Sequence, residues 1–155
     1  MIYNIVCVGK IKEAYYSDII TNISRSLSAD NRLIIKQVAD EPIPKGAGKM
    51  INSKILAVEG DRILSNIGSN EYVIALCIEG KETGTKKLSE IVNDAAYKGY
   101  NEITFIIGGS LGLDSRCVSR ADYKLSFSKM TFPHQLMRVM LAEQIKLICD
   151  KQCCY

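Results

Sequence analysis

Leu125-Ser126-Phe127-Ser128-Lys129-Met130-Thr131-Phe132-Pro133-His134-Gln135-Leu136-Met137-Arg138 joins a short apolar run to a strongly apolar helical pattern. The connecting loop is built from residues that ordinary loops avoid. Full burial of Phe127, Met130 or Phe132 is worth about 1.5–3 kcal/mol each, so a loop holding all three is expected to bury them against something. Upstream, Ile106-Ile107-Gly108-Gly109-Ser110 runs a buried strand into paired glycines. Without side chains, Gly108 and Gly109 are expected to let a ligand approach the backbone and to expose amide donors. The two stretches read as two walls of one pocket.

Outward from this region the chain alternates strand and helix. Apolar, β-rich runs occur at Ile2–Val8, Leu33–Val38, Tyr72–Ile78 and Glu102–Ile107, with a brief one at Lys124–Ser126. Between them lie helical patterns at Lys12–Leu27, Lys49–Ile67 and Ser89–Lys98, a short one at Ser115–Ala121, and a last one at His134–Asp150. The second helix is predicted to bury Ile51, Ile55, Val58, Ile63 and Ile67. Gly60 inside it costs about 1 kcal/mol relative to alanine, which implies a bend or a close packing contact. The third is predicted to turn Leu88, Ile91, Val92, Ala95 and Ala96 inward. Asp40–Gly48 is a loop by composition, and Glu79–Thr85 a turn. Such alternation predicts an α/β three-layer sandwich with a mainly parallel sheet, in a single domain spanning residues 1–155.

The final helix carries Leu136, Met137, Met140, Leu141, Ile145 and Ile148, and Val139 and Leu147 widen its apolar face. A helix apolar on more than one side must be covered on more than one side. A second copy in a twofold homodimer supplies that cover; a sheet and one neighbouring helix is the other solution. Thr131 is predicted to cap this helix, with Pro133 in its first turn. His134, at the helix start, could act as a base or hydrogen-bond the loop.

Composition narrows the function classes. Hydrophobic residues make up 47% and charged residues 24% of 155, ordinary for a soluble globular protein. No apolar run is long enough to cross a membrane, and the N-terminus reads as a strand rather than a leader, so the expected location is cytoplasmic. Six cysteines form no C-x-x-C and have one histidine for company, so no metal site is expected. Cys7 and Cys77 fall in strands, where a thiol behaves as a small hydrophobe; Cys153 and Cys154 are adjacent and cannot readily pair. The net charge is +3, and basic residues cluster at Lys10 and Lys12, Lys45 and Lys49, Lys81 with Lys86 and Lys87, and Arg116, Arg120, Lys124 and Lys129, several of them in predicted loops at strand ends, where ligands collect in α/β folds. Nucleic acid is the partner class this distribution suggests. There is no G-x-G-x-x-G, no P-loop and no G-x-S-x-G.

Ile107-Gly108-Gly109-Ser110-x-Gly112-Leu113, followed by the Leu125–Arg138 stretch, resembles the RlmH family of SPOUT-class methyltransferases, which modify a pseudouridine at N3 in 23S ribosomal RNA of the large subunit. Val8-Gly9-Lys10-x-Lys12-Glu13-x-Tyr15, Glu59-Gly60-x-Arg62-Ile63-Leu64 and Leu76-x-Ile78-x-Gly80-Lys81 fit the same family. The resemblance, over about residues 1–145, implies a cytoplasmic homodimer that binds S-adenosyl-L-methionine, folds with a C-terminal trefoil knot, and acts on the large subunit or the assembled ribosome. By matching motifs it places the cofactor contacts at Leu76, Gly108, Phe127, Ser128, Lys129, Met130, Thr131 and Phe132. It assigns no catalytic residue. Family members usually end in an Arg-Gly-Glu-x-Tyr-His-basic tail, whereas this chain matches at Glu143-Gln144-Ile145 and continues Lys146-Leu147-Ile148-Cys149-Asp150-Lys151-Gln152-Cys153-Cys154-Tyr155. Cys77 stands where an acidic residue is common. The alternative implied by that departure is a catalytically impaired dimer that binds cofactor or ribosome without transferring methyl groups.

Overall fold

The computed structural model describes residues 1–151; the vicinal Cys153 and Cys154 and the terminal Tyr155 lie outside them. Five strands, β1 (Ile2–Val8), β2 (Arg32–Val38), β3 (Tyr72–Glu82), β4 (Glu102–Ile107) and β5 (Tyr123–Ser126), form one sheet in the order β2-β1-β4-β3-β5. All four pairings are parallel. Helices α1 (Ala14–Ser26), α2 (Lys49–Leu64), α3 (Thr85–Tyr97), α4 (Ser115–Arg120) and α5 (His134–Cys149) connect and cover it.

The pleat divides the core in two. Tyr3, Ile5, Cys7, Ile103, Phe105 and Ile107 face one side, against Ile20 and Ile23 of α1, Leu88 and Val92 of α3, and Leu141 and Ile145 of α5. Val6, Val8, Val73, Ala75 and Ile106 face the other, against Ile63 of α2 and Cys117 of α4. Strands covered on both faces need apolar side chains at consecutive positions. That is why Ile2–Val8 and Glu102–Ile107 read as continuous runs. The predicted three-layer α/β architecture is the one observed.

Three local expectations fail, two of them for a packing reason. Helix α2 ends at Leu64, before Ile67, and buries Ile55, Glu59, Gly60 and Ile63 while Ile51 and Val58 stay exposed. Its rotation is set by Gly60, where an added Cβ would lie 2.7 Å from Asp114 Cβ, so α4 rests directly on the glycine. Strand β3 does not stop at Ile78. Leu76 and Lys81 both pair with Leu125, and the residues between them bulge out of the ladder. Gly80 makes this possible, since a Cβ there would sit 2.7 Å from the Leu125 carbonyl carbon. Helix α3 begins at Thr85, within the predicted turn, and leaves Ala96 exposed.

Candidate active site

The carboxyl ends of β4, β3 and β5 open onto a cavity of about 470 Å³, within the range of small-molecule sites. One wall is the turn after β4. Gly112 N–H donates to the Gly109 carbonyl at 3.0 Å, and Gly112 has φ +88°, a conformation that favours glycine. A second wall is the β3 bulge, contributing Cys77, Ile78 and Glu79. The third is the loop after β5. It is held in shape by Ser126 Oγ donating to the Ser128 carbonyl and by Met130 N–H donating to Ser128 Oγ, both at 3.1 Å.

Seven of the eight residues expected to contact a cofactor line this one cavity: Leu76, Gly108, Phe127, Ser128, Met130, Thr131 and Phe132. Lys129 does not; it is exposed. Met130, expected to be buried with Phe127 and Phe132, is 69% exposed although it lines the cavity. Gly108 lines the cavity for a reason other than the one expected. A Cβ there would fall 2.1 Å from the Gly112 carbonyl oxygen and 2.4 Å from its carbon, so the glycine is required by the chain's own turn. Thr131 does not cap α5. The N-cap is Pro133, with no side-chain hydrogen bond, and Thr131 is exposed. Gln135 instead reaches across to α1, its Oε1 accepting from the Lys12 and Glu13 amides at 2.7 and 3.3 Å.

Residues outside the predicted set also build the site. Cys77 lines the cavity, and burial followed by the Glu79 charge raises its thiol pKa. Gly80, an isolated glycine in a strand pattern, is the sequence signal for the bulge that places it. Behind the cavity, Arg138 is 1% exposed. It donates from Nη2 to the Val8 carbonyl at 2.5 Å, while its Nε and Nη1 find no protein partner. Glu59, also buried, accepts the Glu41 amide at 3.0 Å. His134 lines the cavity one turn before Arg138. Desolvation lowers the His134 pKa and the Arg138 charge lowers it further, against an opposing pull from Glu59.

Two of the basic residues singled out for nucleic acid have structural work. Arg116 pairs with Asp61 and Asp114 at 2.7 and 3.0 Å and donates to the Ala57 carbonyl, fastening α4 to α2. Arg120 pairs with Asp122 and donates to the Gly68 and Glu71 carbonyls. Lys10, Lys12, Lys45, Lys49, Lys81, Lys86, Lys124 and Lys129 are exposed.

The apolar walls at Leu76, Leu125 and Phe127 suit a flat heterocycle, and the backbone-rich turn and loop suit the hydroxyl, amino and carboxylate groups of a nucleoside linked to an amino acid. Comparison with known proteins adds the family. Residues 1–146 match the family described as "Predicted SPOUT methyltransferase". Over 141 residues the chain is 48% identical to the ribosomal RNA large subunit methyltransferase H of Streptococcus uberis, covering 91% of this chain and 89% of that protein. It is 50% identical over the same length and shares to the protein of that name from Bifidobacterium adolescentis, and 48% identical to that of Clostridium novyi. With a match over nearly its whole length and a parallel α/β sheet to accommodate it, this chain belongs to the SPOUT methyltransferases, in the RlmH family.

Proposed function

We propose that this chain transfers a methyl group from S-adenosyl-L-methionine to N3 of a pseudouridine in 23S rRNA of the large subunit. The observation that carries the reading is the convergence of Leu76, Gly108 and the Phe127–Phe132 loop on one cavity, in a chain whose relatives bear the name ribosomal RNA large subunit methyltransferase H. When bound, the sulfonium supplies an already activated methyl group. The main task left to the protein is to align a deprotonated acceptor nitrogen with the donor, and near-attack geometry is worth about 7–11 kcal/mol of barrier. Leu76, Gly108, Phe127, Ser128, Met130, Thr131 and Phe132, which line the cavity, would hold the donor. Exposed lysines, including Lys12, Lys81, Lys124 and Lys129, attract the RNA backbone in a salt-dependent way.

The working form in this reading is a single-domain SPOUT protein, its C-terminal segment threaded as a trefoil knot, acting as a cytoplasmic homodimer. No helix among the described residues is long and apolar enough to cross a membrane, consistent with a substrate in the ribosome. Half-buried Met137, Val139 and Met140 on α5 give the partner copy an apolar surface.

The test is transfer of label from methyl-tritiated S-adenosyl-L-methionine to ribosomes, and separately to free large subunits, from cells lacking this modification. Label mapped by nuclease digestion and mass spectrometry to a pseudouridine is the expected result. S-adenosylhomocysteine binding without transfer would make the chain a cofactor-binding dimer, the alternative suggested by its divergent tail. Neither binding nor transfer would overturn the reading.

A further inference from the structure

An imide nitrogen that still carries its proton offers no free lone pair to a methyl donor, so the transfer needs a proton acceptor in the cavity. Among the described residues lining it, three side chains are titratable: Cys77, Glu79 and His134. Burial holds the Cys77 thiol in its protonated form. Glu79 is exposed on the bulge, where water competes for its carboxylate. His134 is half-buried at the first turn of α5, flanked in the cavity wall by Phe132 and Met137.

We propose that His134 is the proton acceptor of the transfer, a role that rests on the methyltransferase reading above. Its surroundings keep the imidazole neutral. The positive end of the 16-residue α5 disfavours a cation at the first turn. The buried Arg138 guanidinium, one turn along, adds a second positive charge, and its Nε and Nη1 have no hydrogen-bond partner. Glu59 on α2 acts in the opposite sense and tempers the effect. A neutral imidazole accepts a proton, whereas an imidazolium cannot; tuning of this kind trades basicity for the correct protonation state near neutral pH.

The step balances as follows. The imidazole takes the N3 proton, the electron pair left on nitrogen forms the N–CH3 bond, and the pair of the broken C–S bond remains on the donor's sulfur. The imidazolium, destabilised by Arg138 and the helix end, then returns its proton to solvent. Arg138 acts here through His134 and is a positioning residue.

Because His134 is the only histidine in the chain, its titration can be followed by NMR as a single imidazole spin system in the cofactor-free protein. The expected midpoint lies below about 6.5, the ordinary histidine value, and rises toward it in Arg138→Met. In single-turnover transfer to ribosomes, His134→Gln and His134→Ala are expected to slow the reaction at about pH 7 by roughly a hundredfold to ten-thousandfold. Their rates should climb about tenfold per pH unit as solvent ionises the base instead. Added imidazole should partly restore His134→Ala, and S-adenosylhomocysteine affinity should be unchanged. An unaltered rate and pH profile in either variant, or a wild-type midpoint at or above the ordinary value, overturns the proposal. So does a rate loss matched by lost S-adenosylhomocysteine binding without rescue, which would mark a structural role. A wild-type chain that transfers no methyl group overturns the functional reading itself, and the proton acceptor with it.

Discussion

The two ends of the same sheet treat buried polar groups in opposite ways. At the amino ends of β1 and β4, Asn4 and Thr104 are adjacent partners in register. Asn4 Nδ2 donates to Glu102 Oε2 at 2.9 Å and to Thr104 Oγ1 at 3.2 Å, and Thr104 Oγ1 donates to Glu71 Oε2. Each buried donor there has an acceptor. At the carboxyl ends, Arg138 is equally buried but leaves Nε and Nη1 without protein partners, beside a cavity walled by a strand bulge and a glycine turn. A satisfied polar network rigidifies a fold, and an unsatisfied one is costly. The cost falls on the edge where ligands collect in parallel α/β sheets. One end of the sheet stabilises; the other is arranged for chemistry.

The sharpest way to break this contrast is Gly108→Val. Its side chain would collide with the Gly112 carbonyl, so the turn must move. A loss of about 3 kcal/mol or more in chemical denaturation is expected, together with loss of S-adenosylhomocysteine binding in calorimetry. Stability near wild type with binding alone abolished would mean that the glycine serves the ligand and not the turn.

Thr104→Val makes the complementary cut at the amino end. It deprives Asn4 and Glu71 of a partner while nearly conserving shape, and should cost about 1–3 kcal/mol. Cofactor affinity should not change, because the cavity lies at the other end of the strands. A weakened affinity would show that the two ends are mechanically coupled.

The carboxyl end should also respond to pH through His134. Its folded-state pKa is lowered, so the unfolded chain binds the proton more readily. The contribution to stability is complete above the unfolded histidine value of about 6.5. It is lost as pH falls from there through the depressed folded value. A denaturation midpoint that declines over this window in the wild type, and declines less in His134→Gln, is the expected pattern.

The smallest effect concerns thiol reactivity. Cys7 and Cys117 are fully buried, and burial pushes both thiols up to about 11. Cys77 is only partly buried in the cavity wall. Iodoacetamide followed by peptide mass mapping should modify Cys77 ahead of Cys7 and Cys117, and S-adenosylhomocysteine should protect it. Labelling of Cys77 that is the same with and without S-adenosylhomocysteine would place it outside the ligand's reach.

Strand and helix identity, the parallel three-layer architecture and the convergence of two distant stretches on one cavity were legible in the chain, because each depends on local periodicity or on the cost of exposing Phe127 and Phe132; the same cost did not bury Met130. The bounds of β1 and β4 agree with the pattern, since a run buried on both faces has no ambiguity of register. Where a side chain meets a neighbour distant in sequence, the pattern had no access to the answer. Gly60 fixed the rotation of α2 because Asp114 packs on it, and Gly80 let β3 bulge because Leu125 crosses beneath. Gly108 proved to serve Gly112 at close quarters. Arg138, a charge set among apolar residues in the first half of α5, gave a visible signal in the sequence, but its burial and its unpartnered donors follow from the packing of α5 over the end of β1. The sequence by itself determined which segments would be strands and helices, because hydrophobic periodicity is a property of neighbours along the chain. Only the tertiary structure decided which polar groups would be left without partners, because satisfaction of a hydrogen bond is a property of neighbours in space.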